Sequence, residues 1–210
     1  MDFLLLPPRD QIVMLMQRIY SYGMTTTSGG NLSILDENGA IWITPASVDK
    51  GRLRRDDIVR VRPDGAVEGP HRPSSEFPFH KAIYERRADV RAILHAHPPA
   101  LVAFSIVRQV PDTRIIPQAR HICGEVGCAR YGLPGSEELG RNIAETFAKG
   151  HDTVLLENHG IVTSGKDLFQ AFRRFETLDF CARLTIHAQR LGAPRVLTQE
   201  QLDLFERKGS

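Results

Sequence analysis

Apolar side chains first recur at helical spacing near the start of the chain, where Ile12, Val13, Met16, Ile19 and Tyr20 mark one face of a helix. Asp10 is placed to cap that helix and Gly23 to end it. The period then shortens. Asn31–Leu35 and Ala40–Thr44 read as two short strands, and Asp36-Glu37-Asn38-Gly39 between them is hairpin-turn chemistry. Ile58–Val61 and Ala66–Glu68 predict a second hairpin about Arg62-Pro63-Asp64-Gly65. The helical period returns over Glu76–Arg87 with Phe79, Ile83 and Tyr84, and Pro78 is tolerated in its first turn. Val90–His95 predicts a strand, and Pro98-Pro99 opens a helix through Val107. Ser136 caps Glu137–Lys149, whose acidic first turn complements the helix dipole. Thr153–Leu156 is a short buried strand, with Ile161–Thr163 as its hairpin partner across Asn158-His159-Gly160. Asp167 caps a long helix carrying Leu168, Phe172, Phe175, Leu178 and Ala182 on one face, and the polar tail Leu197–Ser210 has helical character. Hairpins early and helices interleaved later predict an α/β fold, a mixed sheet with helices on both faces.

Composition narrows the class. In 210 residues there is no repeat, low-complexity tract or Gly/Ser/Pro linker, so one domain over residues 1–210 is expected. With 41% hydrophobic and 25% charged residues the chain is too apolar to be disordered. Its 27 basic residues against 25 acidic leave a net charge of only +2. The short run Arg52, Arg54, Arg55 is diluted at once by Asp56 and Asp57, which argues against nucleic acid or a membrane surface as partner. No apolar run approaches the ~20 residues of a membrane helix. Phe3-Leu4-Leu5-Leu6, followed by Pro7-Pro8, lacks the basic leader of a secretory signal. Cys123, Cys128 and Cys181 form no CxxC pair, so neither a disulfide framework nor a cysteine zinc knuckle is expected, and the expected compartment is the cytoplasm.

Three of the eight histidines have positions that bear on chemistry. His95 and His97 lie at i and i+2 at a strand end, which puts both on one face. His159 sits in the tight turn after a second strand. Three nitrogens from two neighbouring strand ends can bind zinc at ~2.0–2.1 Å and leave a coordination position open. Taken alone, an H-x-H pair is equally explained by two core or surface histidines. Two loops offer anion-binding chemistry: Ser28-Gly29-Gly30-Asn31, with small residues and free backbone N–H groups, and Ser74-Ser75-Glu76, where a loop becomes a helix. Each is also ordinary turn or cap chemistry by itself. Beside a histidine cluster, the two suggest a phosphorylated substrate next to a metal.

Five segments then fall in a familiar order: Thr27-Ser28-Gly29-Gly30-Asn31-Leu32-Ser33, Ile43-Thr44-Pro45, Pro73-Ser74-Ser75-Glu76, His95-Ala96-His97-Pro98 and Glu157-Asn158-His159-Gly160. From about Met14 to about Leu191 the sequence resembles the class II aldolase/adducin family. That resemblance implies a three-layer α/β/α sandwich with a mainly antiparallel sheet. It also implies Zn²⁺, or another divalent cation, on His95, His97 and His159. Glu76 would be a fourth ligand in the resting state that swings away to act as acid and base. The substrate phosphate would sit among Ser28, Asn31, Thr44, Ser74 and Ser75, with backbone help from Gly29 and Gly30. The implied reaction is retro-aldol cleavage of a ketose 1-phosphate of the L-fuculose 1-phosphate type, giving dihydroxyacetone phosphate and an aldehyde through a metal-stabilised enediolate. Related members are 4-epimerases, decarboxylases or dehydratases, and non-catalytic adducin-type members lack the metal histidines. Family enzymes are typically homotetramers with sites between subunits.

Two departures from the family pattern stand out. Thr44-Pro45-Ala46-Ser47 has serine where the family often has glycine. The stretch Ile116–Cys123 lacks the tyrosine that protonates the leaving aldehyde oxygen, which leaves His121 or Tyr131 as candidates. His71, His80, His151 and His187 match no motif, and surface or helix-face roles suffice for them; Trp42, Phe169, Phe172 and Phe175 read as core or subunit interface.

Overall fold

The computed structural model describes residues 3–209. The first helix, α1 (Pro8–Ser21), starts differently from the sequence reading. Pro7 holds the N-cap position and Pro8 the first turn, where a missing N–H costs nothing. Asp10 therefore lies inside the first turn, 3.6 Å from Arg55 Nη1, and caps nothing. Gly23, at φ +67°, ends the helix as expected.

Eight strands follow: β1 (Asn31–Leu35), β2 (Ile41–Ile43), β3 (Val59–Val61), β4 (Val67–Glu68), β5 (Ala92–Ala96), β6 (Val126–Ala129), β7 (Thr153–Leu156) and β8 (Gly160–Gly165). They form one sheet in the order β4-β3-β2-β1-β5-β8-β7-β6. Every neighbouring pair is antiparallel except β6 and β7. That parallel pair is joined by α5 (Glu137–Ala148), the crossover a parallel connection requires. Neither β6 nor α4 (Pro117–Cys123) was expected from the sequence.

Side-chain alternation along the central strands divides the interior into two cores. Ala92, Leu94 and Ala96 of β5 face α1, α3 (Pro99–Ile106), α4 and the long α6 (Leu168–Leu191), whose Phe172 and Phe175 are fully buried. Ile93 faces the other way, toward α2 (Phe77–Arg86) and α5, with Phe79, Ile83 and Phe147. The result is the three-layer α/β/α sandwich, each fully buried phenylalanine contributing on the order of 1.5–3 kcal/mol. The caps read from sequence at Ser136 and Asp167 are present, accepting the amides of Leu139 (3.2 Å) and Gln170 (2.7 Å). The tail forms α7 (Gln199–Gly209). Among the described residues no helix is long and apolar enough to cross a membrane.

Candidate active site

His95 lies in β5 on the face it shares with Ile93, and His97 follows one residue beyond the strand. The neighbouring strand β8 starts at Gly160, so the β7–β8 turn delivers His159 to the same end of the sheet. That turn is held from outside: Asn158 adopts φ +52° and accepts from Arg108 Nη1, while Glu157 Oε2 accepts the Tyr131 amide at 3.0 Å. The three imidazoles converge. Their ring centroids are 4.6 Å (His95–His97), 4.8 Å (His95–His159) and 5.1 Å (His97–His159) apart. One nitrogen from each lies within 4.8 Å of the others.

The approach of these rings depends on two glycines. A Cβ on Gly160 would stand 2.6 Å from the Ala96 carbonyl and 2.7 Å from His97 Cδ2, and one on Gly29 would stand 2.6 Å from His97 Nδ1. Sequence reasoning assigned Gly29 to anion binding and Gly160 to a turn. Both also leave room for His97.

Glu76 closes the cluster as the N-cap residue of α2. Its Oε2 lies 3.3 Å from His95 Nε2 and its Oε1 3.6 Å from His159 Nε2. His95 Nδ1 donates to the Ile161 carbonyl at 2.9 Å, which fixes the tautomer and leaves the Nε2 lone pair facing the cluster. His95 Nε2, His97 Nε2 and Glu76 Oε1 are buried and make no hydrogen bond. Burial, reinforced by the neighbouring histidines, pushes His97 down to about 3 and His159 to about 4, so both are neutral, the form that ligates a metal. Burial alone would raise the Glu76 pKa, but the facing His95 and His159 rings and the Asn31 amide outweigh it and hold the carboxyl well below the usual carboxylate range, so it stays ionised. Converging lone pairs, one carboxylate and buried polar atoms without partners are the donor set of a divalent cation, and this chain's residues fit one.

Behind Glu76 runs a buried chain of hydrogen bonds that the sequence did not reveal. Asn31 Nδ2 donates to Glu76 Oε2 at 2.7 Å. Asn31 Oδ1 must then accept, so His80 Nε2 donates to it. Burial lowers the His80 pKa to about 3, so its ring is neutral and Nδ1 accepts from Ser33 Oγ at 2.7 Å. Ser33 in turn accepts from the Tyr84 hydroxyl at 2.7 Å. Each direction follows from the one before it. His80, given a surface or helix-face role from sequence, is fully buried and stacks on Phe79 at 4.5 Å.

The histidine cluster opens into a cavity of about 370 Å³ lined by Ser28, Gly29, Gly30 and Asn31, by Pro45, Ala46, Ser47 and Lys50, and by Ser74, Ser75 and Glu76. Three loops therefore meet there, stitched by Lys50 N–H to the Thr27 carbonyl (2.9 Å), Ala46 N–H to Arg72 (3.0 Å) and Ser74 N–H to Thr44 (3.1 Å). Thr44 lies under this floor: it is fully buried, does not line the cavity, and its hydroxyl accepts the Leu32 amide at 3.3 Å. Ser47, standing where the family often has glycine, takes the left-handed conformation a glycine would take, φ +57°. His121 is elsewhere, on α4, lining a separate cavity of about 320 Å³ with Cys123, His151 and Arg174. Tyr131 is exposed and lines neither. A larger cavity of about 740 Å³ lies between α1, α3 and α6, but its charged side chains are already paired, Arg183 with Asp179 at 2.9 Å and Glu176 with Arg18 at 2.7 Å.

A family model described as class II aldolase and adducin N-terminal domain matches residues 10–186. The chain belongs to this family. It is 30% identical over 208 residues to a 5-deoxy-D-ribulose 1-phosphate aldolase of Bacillus thuringiensis, an alignment covering 98% of this chain and 96% of the relative. It is likewise 30% identical to a 3-oxo-tetronate 4-phosphate decarboxylase of Haemophilus influenzae, covering 97% and 98%. Among solved structures, an L-fuculose 1-phosphate aldolase superposes with a TM-score of 0.84 at 31% identity, covering 96% of this chain and 95% of the other. Family enzymes are metal-dependent, and His95, His97 and His159 are the residues here that could bind the ion.

Proposed function

We propose that the protein is a zinc-dependent lyase that cleaves a ketose 1-phosphate, of the L-fuculose 1-phosphate type, into dihydroxyacetone phosphate and an aldehyde. The observation that carries this reading is one cavity lined by His97, His159, an ionised Glu76 and the hydroxyl-bearing loops at Ser28 and Ser74-Ser75, with the His95 ring converging on the same cluster. A divalent cation on His95, His97 and His159 supplies Lewis-acid polarisation of a substrate oxygen. The remaining work belongs to the chain. Retro-aldol cleavage breaks the C3–C4 bond: its electron pair moves to C3, the C4 hydroxyl loses a proton and becomes the aldehyde, and C3 gains a proton. Glu76 is the carboxylate beside the histidines, 3.3 Å from His95, and moves the proton at C3. Ser28, Gly29, Gly30, Asn31, Ser74 and Ser75 form the phosphate end, with Thr44 bracing it from below. The leaving oxygen needs its own proton carrier. His121 and Tyr131 lie outside this cavity, so either one serves a site only across a subunit boundary, as in a homotetramer. The chain acts as one domain in the cytoplasm.

A second reading has specific support. The Haemophilus relative named for decarboxylation matches this chain as extensively as the aldolase relative does. Loss of carbon dioxide from a 3-oxo acid also leaves an electron pair next to a carbonyl, so the same site serves it. The deciding experiment measures metal content and, on the loaded protein, dihydroxyacetone phosphate released from L-fuculose 1-phosphate and 5-deoxy-D-ribulose 1-phosphate, and carbon dioxide from 3-oxo-tetronate 4-phosphate. Near-stoichiometric zinc with dihydroxyacetone phosphate is expected. Carbon dioxide alone replaces the aldolase with the decarboxylase. No metal and no product overturns both. Glu76→Gln is expected to keep the metal and lose turnover about 10²–10⁴-fold.

A further inference from the structure

We infer that Lys50 is the cation that makes the site select a phosphorylated ligand, a role that no family motif quoted above gives it. The inference rests on the sugar-phosphate reading and adds the residue that supplies the charge.

Lys50 opens the short turn Lys50–Arg52, which Asp49 caps by accepting the Gly51 amide at 2.9 Å. The backbone N–H of Lys50 is tied to Thr27, next to the Ser28-Gly29-Gly30 loop, and its Nζ donates to the Pro45 carbonyl at 2.8 Å. The residue thus sits at the seam of two of the three loops that form the cavity and is only 3% exposed. Among the described residues no carboxylate lies within ion-pair distance of it, and it is the one lysine or arginine lining this cavity.

Such a position is expensive. An ammonium taken out of water without a counter-ion loses hydration that one carbonyl does not replace. The cost shows in its acidity, since burial lowers its pKa to about 8. Glu76, the cavity's one carboxylate, is engaged by His95, His159 and Asn31. Among the described residues, two of the three Lys50 N–H groups therefore have no acceptor. The same wall presents the hydroxyls of Ser28, Ser47 and Ser75, which make no hydrogen bond among the described residues. One cation and several neutral donors on one side, with the histidine cluster on the other, complement a phosphomonoester carrying about −1.5 to −2 charges. A neutral sugar would leave the ammonium uncompensated.

The test is binding of inorganic phosphate to the metal-loaded protein, followed by calorimetry, for the wild type, Lys50→Met and Lys50→Gln. Methionine keeps the length of the side chain without its charge. Both variants are expected to keep full metal content and to weaken phosphate by about 10- to 150-fold, the range for a hydrogen bond to a charged group. Unchanged affinity in a folded variant overturns the inference, and loss of phosphate binding only in His97→Ala assigns the anion to the metal instead. Should both variants fail to fold, the wild type decides. Phosphate is expected to shift the Lys50 side-chain ammonium signal in the NMR spectrum, and an unmoved signal overturns the inference. The two readings fail separately. Phosphate binding that depends on Lys50 without turnover of any sugar phosphate removes the lyase and keeps the anion site. Equal turnover of phosphorylated and unphosphorylated ketose removes the role of Lys50 and keeps the lyase.

Discussion

Replacing His80 with phenylalanine isolates the buried chain behind Glu76 from the rest of the site. The ring volume and the stacking on Phe79 at 4.5 Å are retained, while two hydrogen bonds are lost. Asn31 Oδ1 is left without its donor in a residue 2% exposed, and Ser33, fully buried, keeps only Tyr84. A buried polar group stripped of its partner costs about 1–3 kcal/mol. Full loss at Asn31 and partial loss at Ser33 together predict a destabilisation of about 2–4 kcal/mol at pH 7. The pH dependence supplies a sharper signature. The His80 pKa falls from 6.5 to about 3 on folding because burial disfavours the imidazolium. Between those values the unfolded chain binds a proton that the folded one does not, so His80 favours folding above pH 6.5 and this advantage is lost as pH falls through the window. The limiting slope is about 1.4 kcal/mol per pH unit. The phenylalanine variant has no such group. Urea denaturation at pH 7, 6, 5 and 4 should therefore show the gap between wild type and His80→Phe narrowing in acid. A gap that stays constant, or a variant as stable as the wild type at pH 7, refutes the neutral, hydrogen-bonded His80 and with it the fixed orientation of the Asn31 amide.

Other consequences can be checked in the same preparations. Ser47→Gly relieves left-handed strain of about 1–2 kcal/mol against a glycine entropy cost of about 0.5–1 kcal/mol, so the urea midpoint should rise by the equivalent of roughly 0.5–1 kcal/mol. Gly160→Ala pushes a methyl group to within 2.6 Å of the Ala96 carbonyl and against His97; it should cost about 1–3 kcal/mol and lower the metal stoichiometry measured by elemental analysis. His97→Ala should weaken metal binding in equilibrium dialysis by more than the roughly 10–100-fold typical of losing an outer hydrogen-bond partner, and circular dichroism should show the fold retained.

What the sequence revealed, and what it hid, follow a physical division. The first hairpins were legible because turn chemistry is local: Asp36-Glu37-Asn38-Gly39 and Arg62-Pro63-Asp64-Gly65 contain their own instructions. β6 was not, because Val126-Gly127-Cys128-Ala129 has no alternation and little bulk. Its small residues are needed by the neighbours: a Cβ on Gly127 would stand 2.7 Å from Thr146 Cγ2 and 2.9 Å from His151 Cγ. The convergence of His95, His97 and His159 was legible because two share a strand end and the third lies in a tight turn. His80 was hidden because it acts through a partner far along the chain, Asn31, 49 residues away, and the burial of Lys50 because it is set by a backbone tie to Thr27 across two loops. Nothing at position 80 distinguishes a surface histidine from one that orients an amide, and only its complete burial on α2 against Asn31 and Ser33 of β1 decides it.

The same division explains why the site lies at this end of the sheet. β5 is central, flanked by β1 and β8, so its C-terminal end meets the start of both neighbours. Asn31 pairs with His95 in one register and Val162 in the other, which sets an amide on one side of the imidazole and the β7–β8 turn on the other. Antiparallel pairing makes this possible, since each neighbour enters where β5 leaves and its loop contributes side chains to the same edge. The cost is a crowd of buried polar groups beside the α2–α5 core: Asn31, Ser33, Glu76, His80 and His95 are each less than 9% exposed. A directed hydrogen-bond chain offsets part of that cost, and the lone pairs it leaves over, on His95, His97 and Glu76, are those that a bound cation would satisfy. Stability and chemistry are therefore coupled here, and the metal-loaded protein should unfold at higher urea than the stripped one by an amount that grows with metal concentration. A midpoint independent of metal would separate the histidine cluster from any role in holding an ion.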